Sequence, residues 1–64
     1  MKQRDLLIIL KEYNFRFIRS NGHLIYTNDI IRVAVPHHKE HSIGLVRRIM
    51  QQMGLNKEQI KRYL

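Results

Sequence analysis

Cysteine is absent from the 64 residues, so neither a disulfide nor a thiolate metal site can brace this chain. That absence fits a reducing, cytoplasmic setting. No apolar run approaches the ~18 residues that a membrane span needs. The longest, Leu6 to Leu10, is followed by no small-residue cleavage site, so neither a secretory leader nor a membrane partner is expected. Repeats, linkers and low-complexity segments are missing too. Acidic residues are scarce: five Asp and Glu stand against twelve Lys and Arg, a formal net charge of +7. On so small a surface this excess favours a polyanionic partner, either nucleic acid or an acidic protein. The length allows one domain, spanning 1–64, and a chain this short buries only about 60% of its unfolded surface.

What is present reads as alternating helix and strand. Leu6, Leu7, Ile9, Leu10 and Tyr13 recur at helical spacing, which predicts a helix over 3–13 closed by a left-handed Asn14. Phe15 to Ser20 alternates as a strand, Asn21-Gly22 suits a hairpin turn, and His23 to Thr27 forms a second strand. Asn28-Asp29 is the candidate second turn, and Ile30 to Val35 the third strand, stopped by Pro36. Ile43, Val46, Ile49, Met50 and Met53 mark a second helix with Ser42 as N-cap and Gly54 as terminator. Asn56 with Gln59 resembles a capping box for a short last helix through Ile60 and Tyr63. The expected fold class is α+β, a helix, a three-stranded antiparallel sheet and a helix, with a short C-terminal helix.

A two-residue turn at Asn28-Asp29 sets a register in which Ile25 faces Arg32, Leu24 faces Val33 and His23 faces Ala34. Leu24, Tyr26, Ile31, Val33 and Val35 then share the core face. His23, Ile25, Thr27, Arg32 and Ala34 share the open face, with Arg32 diagonal to His23.

The chemistry available is narrow. The five carboxylates, Asp5, Glu12, Asp29, Glu40 and Glu58, fall on helix surfaces, a turn and a loop and form no acid/base pair. There is no Gly-rich phosphate loop, and Ser20 and Ser42 have no visible His-Asp partners. Imidazoles, which ordinarily titrate near pH ~6.5, are therefore the only neutral-pH acid/base groups. His37, His38 and His41 sit in one loop, two of them adjacent and without carboxylates, so no metal site is expected. Histidine and cations suffice for one reaction class. RNA carries its own nucleophile, the 2′-hydroxyl, and needs only a proton acceptor, a proton donor and positive charge. Arg47 and Arg48 beside the apolar stripe of the second helix read equally as a solvated face or as a phosphate track.

Three segments together resemble a known family. Asn21-Gly22-His23-Leu24-Ile25-Tyr26, then Val35-Pro36-His37-His38-Lys39-Glu40, then Gly44 to Leu55 are similar to the HicA toxins, small ribonucleases of bacterial toxin–antitoxin modules. Asn21 replaces the first glycine of the family's Gly-Ser/Gly-His motif, and Gly44-Leu45-Val46-Arg47 stands where Gly-Thr-Leu-Arg is usual. The resemblance implies a double-stranded-RNA-binding-domain-like fold and cofactor-free mRNA cleavage, with His23 as the essential residue. Asn21 and Gly22 would support its turn, and Arg32, Lys39, Arg47 and Arg48 would contact RNA. It also implies a HicB-type antitoxin that masks His23, and a higher assembly formed through that antitoxin. Two other readings share the same fold. One is a non-catalytic RNA-binding module, and the other is a protein-interaction domain with a basic face.

Overall fold

The first helix sets the position of everything after it. α1 (Gln3–Glu12) buries Leu6, Ile9 and Leu10, the stripe that its 3.6-residue period assembles. It ends one residue earlier than the spacing predicts, with Tyr13 as C-cap and Asn14 left-handed at φ 65°. The structure, a computed structural model, describes all of residues 1–64. Its remaining elements are β1 (Arg16–Ser20), β2 (His23–Thr27), β3 (Arg32–Pro36), α2 (Ile43–Gln52) and α3 (Lys57–Lys61). The three strands form one antiparallel sheet in the order β1-β2-β3. Val33 and Val35 on one sheet face meet Leu6, Leu10, Val46, Ile49 and Met50 from the helices, and these make the core. The expected α+β architecture is therefore the observed one. No helix is long and apolar enough to cross a membrane.

Register differs from the expectation at the second turn. The connection is four residues, Asn28 to Ile31, and β2 pairs with β3 as His23↔Pro36, Leu24↔Val35, Ile25↔Ala34, Tyr26↔Val33 and Thr27↔Arg32. Side-chain hydrogen bonds explain the longer loop. Asn28 Oδ1 accepts from the backbone N–H groups of Ile30 and Ile31 at 3.0 and 2.7 Å. The Thr27 hydroxyl donates to the Ile31 carbonyl at 2.8 Å and accepts from Asp29 N–H at 3.0 Å. Asp29 takes φ 77° inside this turn. Sequestering two more residues in the loop moves the ladder by two. A two-residue slip preserves which face each side chain occupies, so the face assignment of the strand residues stands while the partners change. Ile31, expected on β3, instead belongs to the loop and is half-buried against the core.

A second departure lies in β1. Phe17 pairs with Tyr26 and Arg19 with Ile25, leaving Ile18 as an extra residue in a bulge. Strict alternation from Phe17 would have turned Arg19 toward the helices. The bulge turns it to the open face. Arg16 closes the other end of the strand on Asp29 at 2.7 Å, and that guanidinium's hydrogen bond holds the Asp29 carboxyl below its ordinary range.

The loop from 37 to 42 is more built than a polar connection. Gln3 N–H donates to the Lys39 carbonyl at 2.8 Å, satisfying one of the free donors at the start of α1, and His41 N–H donates to the Met1 carbonyl at 2.8 Å. The Gln3 side-chain amide donates to the Pro36 carbonyl at 3.1 Å, so its oxygen is left to accept from His41 Nε2. His41 must then carry its hydrogen on Nε2. Its bare Nδ1 is buried with no partner. His41 is thus a buried residue rather than a surface loop residue.

Burial, the nearby His38 and the N-terminal ammonium lower the pKa of His41 below its ordinary 6.5. Protonation would place an N–H and a charge where no acceptor exists. The unfolded chain takes up this proton more readily than the folded one. Stability from this group is therefore complete above about pH 6.5 and declines as pH falls through it. Calorimetric melts should show the transition temperature holding above about pH 6.5 and dropping as pH falls below it. His41→Gln, which keeps a donor toward Gln3 without titrating, should flatten that slope.

The helix ends follow the sequence signals. Ser42 Oγ accepts from Leu45 N–H at 3.2 Å to cap α2. Gly54 at φ 91° closes α2, letting Leu55 N–H reach back to the Met50 carbonyl at 3.1 Å. Asn56 and Gln59 complete the reciprocal capping box of α3, both bonds at 2.9 Å. Ile60 fixes α3 to the core, and the Tyr63 hydroxyl donates to Glu12 Oε2 at 3.1 Å.

Candidate functional site

The sheet has two unlike faces. One is covered by the helices, and the other is open and carries the exposed His23, Arg32 and Ala34. His23 is the first residue of β2, directly after a turn in which Gly22 takes φ 74°. Space around Gly22 is open, so its requirement is conformational: a side chain at that φ would be strained. Asn21 does not adopt positive φ; instead its N–H donates to the His23 carbonyl at 2.9 Å.

On its other side His23 pairs with Pro36, not with Ala34. Pro36 is in turn held by the Gln3 amide. The helix start, the end of β3 and the start of β2 are thereby tied into one unit, which fixes the backbone that carries the imidazole. Sequence reasoning did not mark Gln3, a lone amide in the first turn of a helix, because nothing in its spacing signals that role.

The neighbours of His23 are also different from those expected. Arg32 lies opposite Thr27, four residues along the ladder, a separation of about 13 Å at strand rise. It is not the diagonal neighbour. Arg19 is: it pairs with Ile25, two residues from His23 on the same face, where diagonal Cα atoms lie about 7–8 Å apart. A guanidinium spans that distance. The bulge that delivers Arg19 left no mark in the sequence alternation.

A second imidazole flanks the start of β2. His37 follows Pro36, and its Nε2 lies 3.0 Å from Ser20 Oγ. Ser20 pairs with Leu24, which pairs with Val35, so the His37 ring crosses the head of β2 to reach β1. His38 stacks on His41 with centroids 5.9 Å apart. No group of three or more His, Asp or Glu side chains converges as a metal site would require.

Lys39 is exposed in the loop, and Arg47 and Arg48 are exposed on α2. Because α2 packs on the covered face, Arg47 and Arg48 do not share a surface with His23. Two clefts mark the molecule, of about 740 and 590 Å³, and neither includes His23. The site is an open surface, suited to a polymer laid across it rather than to an enclosed small molecule.

Fold and site together define a small, basic helix–sheet–helix protein that presents one strand-borne imidazole, with an arginine at its diagonal, on an uncovered sheet face. The chain belongs to the HicA toxin family of bacterial toxin–antitoxin systems: the family model described as HicA toxin of bacterial toxin-antitoxin matches residues 4–55, most of its length. No curated protein and no solved structure gives a significant match. An antitoxin partner follows from membership of the family.

Proposed function

We propose that this toxin is an mRNA endoribonuclease in which His23 transfers the protons and Arg19 stabilises the developing charge. The observation that carries the reading is the placement of His23, exposed on the open face, opposite Pro36 and diagonal to Arg19. In the reaction the 2′-oxygen bonds to phosphorus as the P–O5′ bond breaks. The imidazole accepts the 2′-hydroxyl proton, and a proton returns to the departing 5′-oxygen. The products are a 2′,3′-cyclic phosphate and a free 5′-hydroxyl. Arginine beside the phosphorane-like transition state supplies the charge that another enzyme takes from a cation. Cleaving messages would block translation, and a HicB-type antitoxin would silence the toxin by covering this face.

The direct test is an RNA oligonucleotide cut by the purified toxin in EDTA, with the ends identified by mass. A 2′-deoxy substitution at the cut nucleotide should abolish cleavage there. Cutting that persists at the deoxy site, or activity that disappears with chelation, would remove this mechanism. The corrected register adds a sharper expectation. Arg19→Ala should lower the cleavage rate by about 10- to 100-fold, the scale of losing one charge-assisted contact in a transition state. Arg32→Ala should cost far less, and single-turnover rates of the two variants decide the order.

A further inference from the structure

α3 lies beyond the residues that the family model covers, yet it is firmly constructed. Between it and α2 runs the cleft of about 590 Å³. Ile43, Arg47 and Gln51 line one wall at successive turns of α2, and Lys57, Lys61 and Leu64 line the other. Two features distinguish this groove from a solvated surface. Its three cations have no ion-pair partner, since both ion pairs of the chain, Arg4–Asp5 and Arg16–Asp29, lie elsewhere, and no Asp or Glu lines it. Its cations are interleaved with aliphatic residues, of which Ile43 and Leu64 remain 59% and 43% exposed.

We propose that this groove docks an acidic segment of the antitoxin that inserts an apolar side chain between Ile43 and Leu64. The three unpaired cations call for carboxylates. The exposed aliphatic side chains call for something to bury against them, which an acidic peptide provides and a sugar–phosphate backbone does not. The groove is formed on the helical layer, so a segment seated there holds the toxin from the side away from His23. A partner could grip both layers at once, masking the imidazole on one and gaining linked affinity from the other. Lys57, Ile60 and Lys61 of α3, and Leu64 after it, lie outside the matched residues, so the groove would distinguish this toxin's own antitoxin from those of relatives. The inference rests on the antitoxin partner of the family and not on the catalytic role of His23.

Two substitutions test it without endangering the fold. Ile43→Asp and Lys57→Glu each put a carboxylate at the first position of a helix, where negative charge is favourable. Both should keep the melting temperature. The probe is the purified cognate antitoxin, with binding measured by calorimetry at low salt. Each variant should weaken it by about 10-fold or more, the double variant further, while RNA affinity by filter binding stays at the wild-type level. Unchanged antitoxin affinity in the double variant overturns the proposal. Loss of RNA affinity with antitoxin binding intact also overturns it and gives the groove to RNA. Neither readout needs RNA cleavage, so a failure of the nuclease assignment remains distinguishable from a failure here.

Discussion

His23→Ala should reduce RNA cleavage by about 10²- to 10⁴-fold, the range that a positioned proton-transfer group contributes. Its melting temperature should stay close to that of the wild type. The two halves of this expectation come from the same geometry. The imidazole stands on the uncovered sheet face, so removing it creates no cavity and strands no buried partner. The backbone beneath is held by pairing with Pro36 and by the Gln3 amide, neither of which involves the ring. Loss of activity together with loss of fold would show that the residue is structural. Induced expression gives the cellular counterpart: wild type should arrest growth and degrade message, and the variant should do neither. His23→Ala that retains full cleavage would transfer the chemistry elsewhere, with His37 the first residue to examine.

The largest effect on stability is expected from Leu10→Ala. Leu10, on the buried stripe of α1, is fully buried in the core cluster that also includes Val33 and Val35 of the sheet and Val46, Ile49 and Met50 of α2. Truncating such a side chain costs about 2–5 kcal/mol, combining lost transfer energy with the cavity left behind. Native domains are stabilised by roughly 0.05–0.15 kcal/mol per residue, which for a chain of this length amounts to only about 3–10 kcal/mol. The variant should therefore be largely unfolded, or unfold at much lower urea, when followed by circular dichroism. Ile8→Ala, two residues away and on the opposite, half-exposed face of the same helix, should cost below about 0.5 kcal/mol. Similar losses in the two variants would mean that α1 does not bury the face described.

Much of the fold was legible because it depends on periodicity and capping, which are local. The α1 stripe, the α2 stripe, the Ser42 cap, the Gly54 terminator and the Asn56–Gln59 box all lie within a few residues of the pattern that announces them. Partners across the sheet depend on loop lengths, and loop lengths depend on side chains. Asn28 and Thr27 spend their oxygens on the backbone of their own turn, which lengthened it from two residues to four. Because the change was even, the exposure of His23 was inferred correctly from a register that was itself wrong. Pairing with Pro36, and the replacement of Arg32 by Arg19 at the diagonal, were beyond the reach of alternation. The buried state of His41 was hidden for a similar reason, since its hydrogen-bond partner, Gln3, is 38 residues distant.

The extra residue in β1 has a consequence for how relatives should be aligned. Ile18 is slack in the chain: removing it would leave Phe17 opposite Tyr26 and Arg19 opposite Ile25, with the strand simply straightened. A homologue one residue shorter in this stretch can therefore keep the same cation beside its histidine. Counting forward from the helix would miss that residue, whereas counting back from the glycine turn would find it.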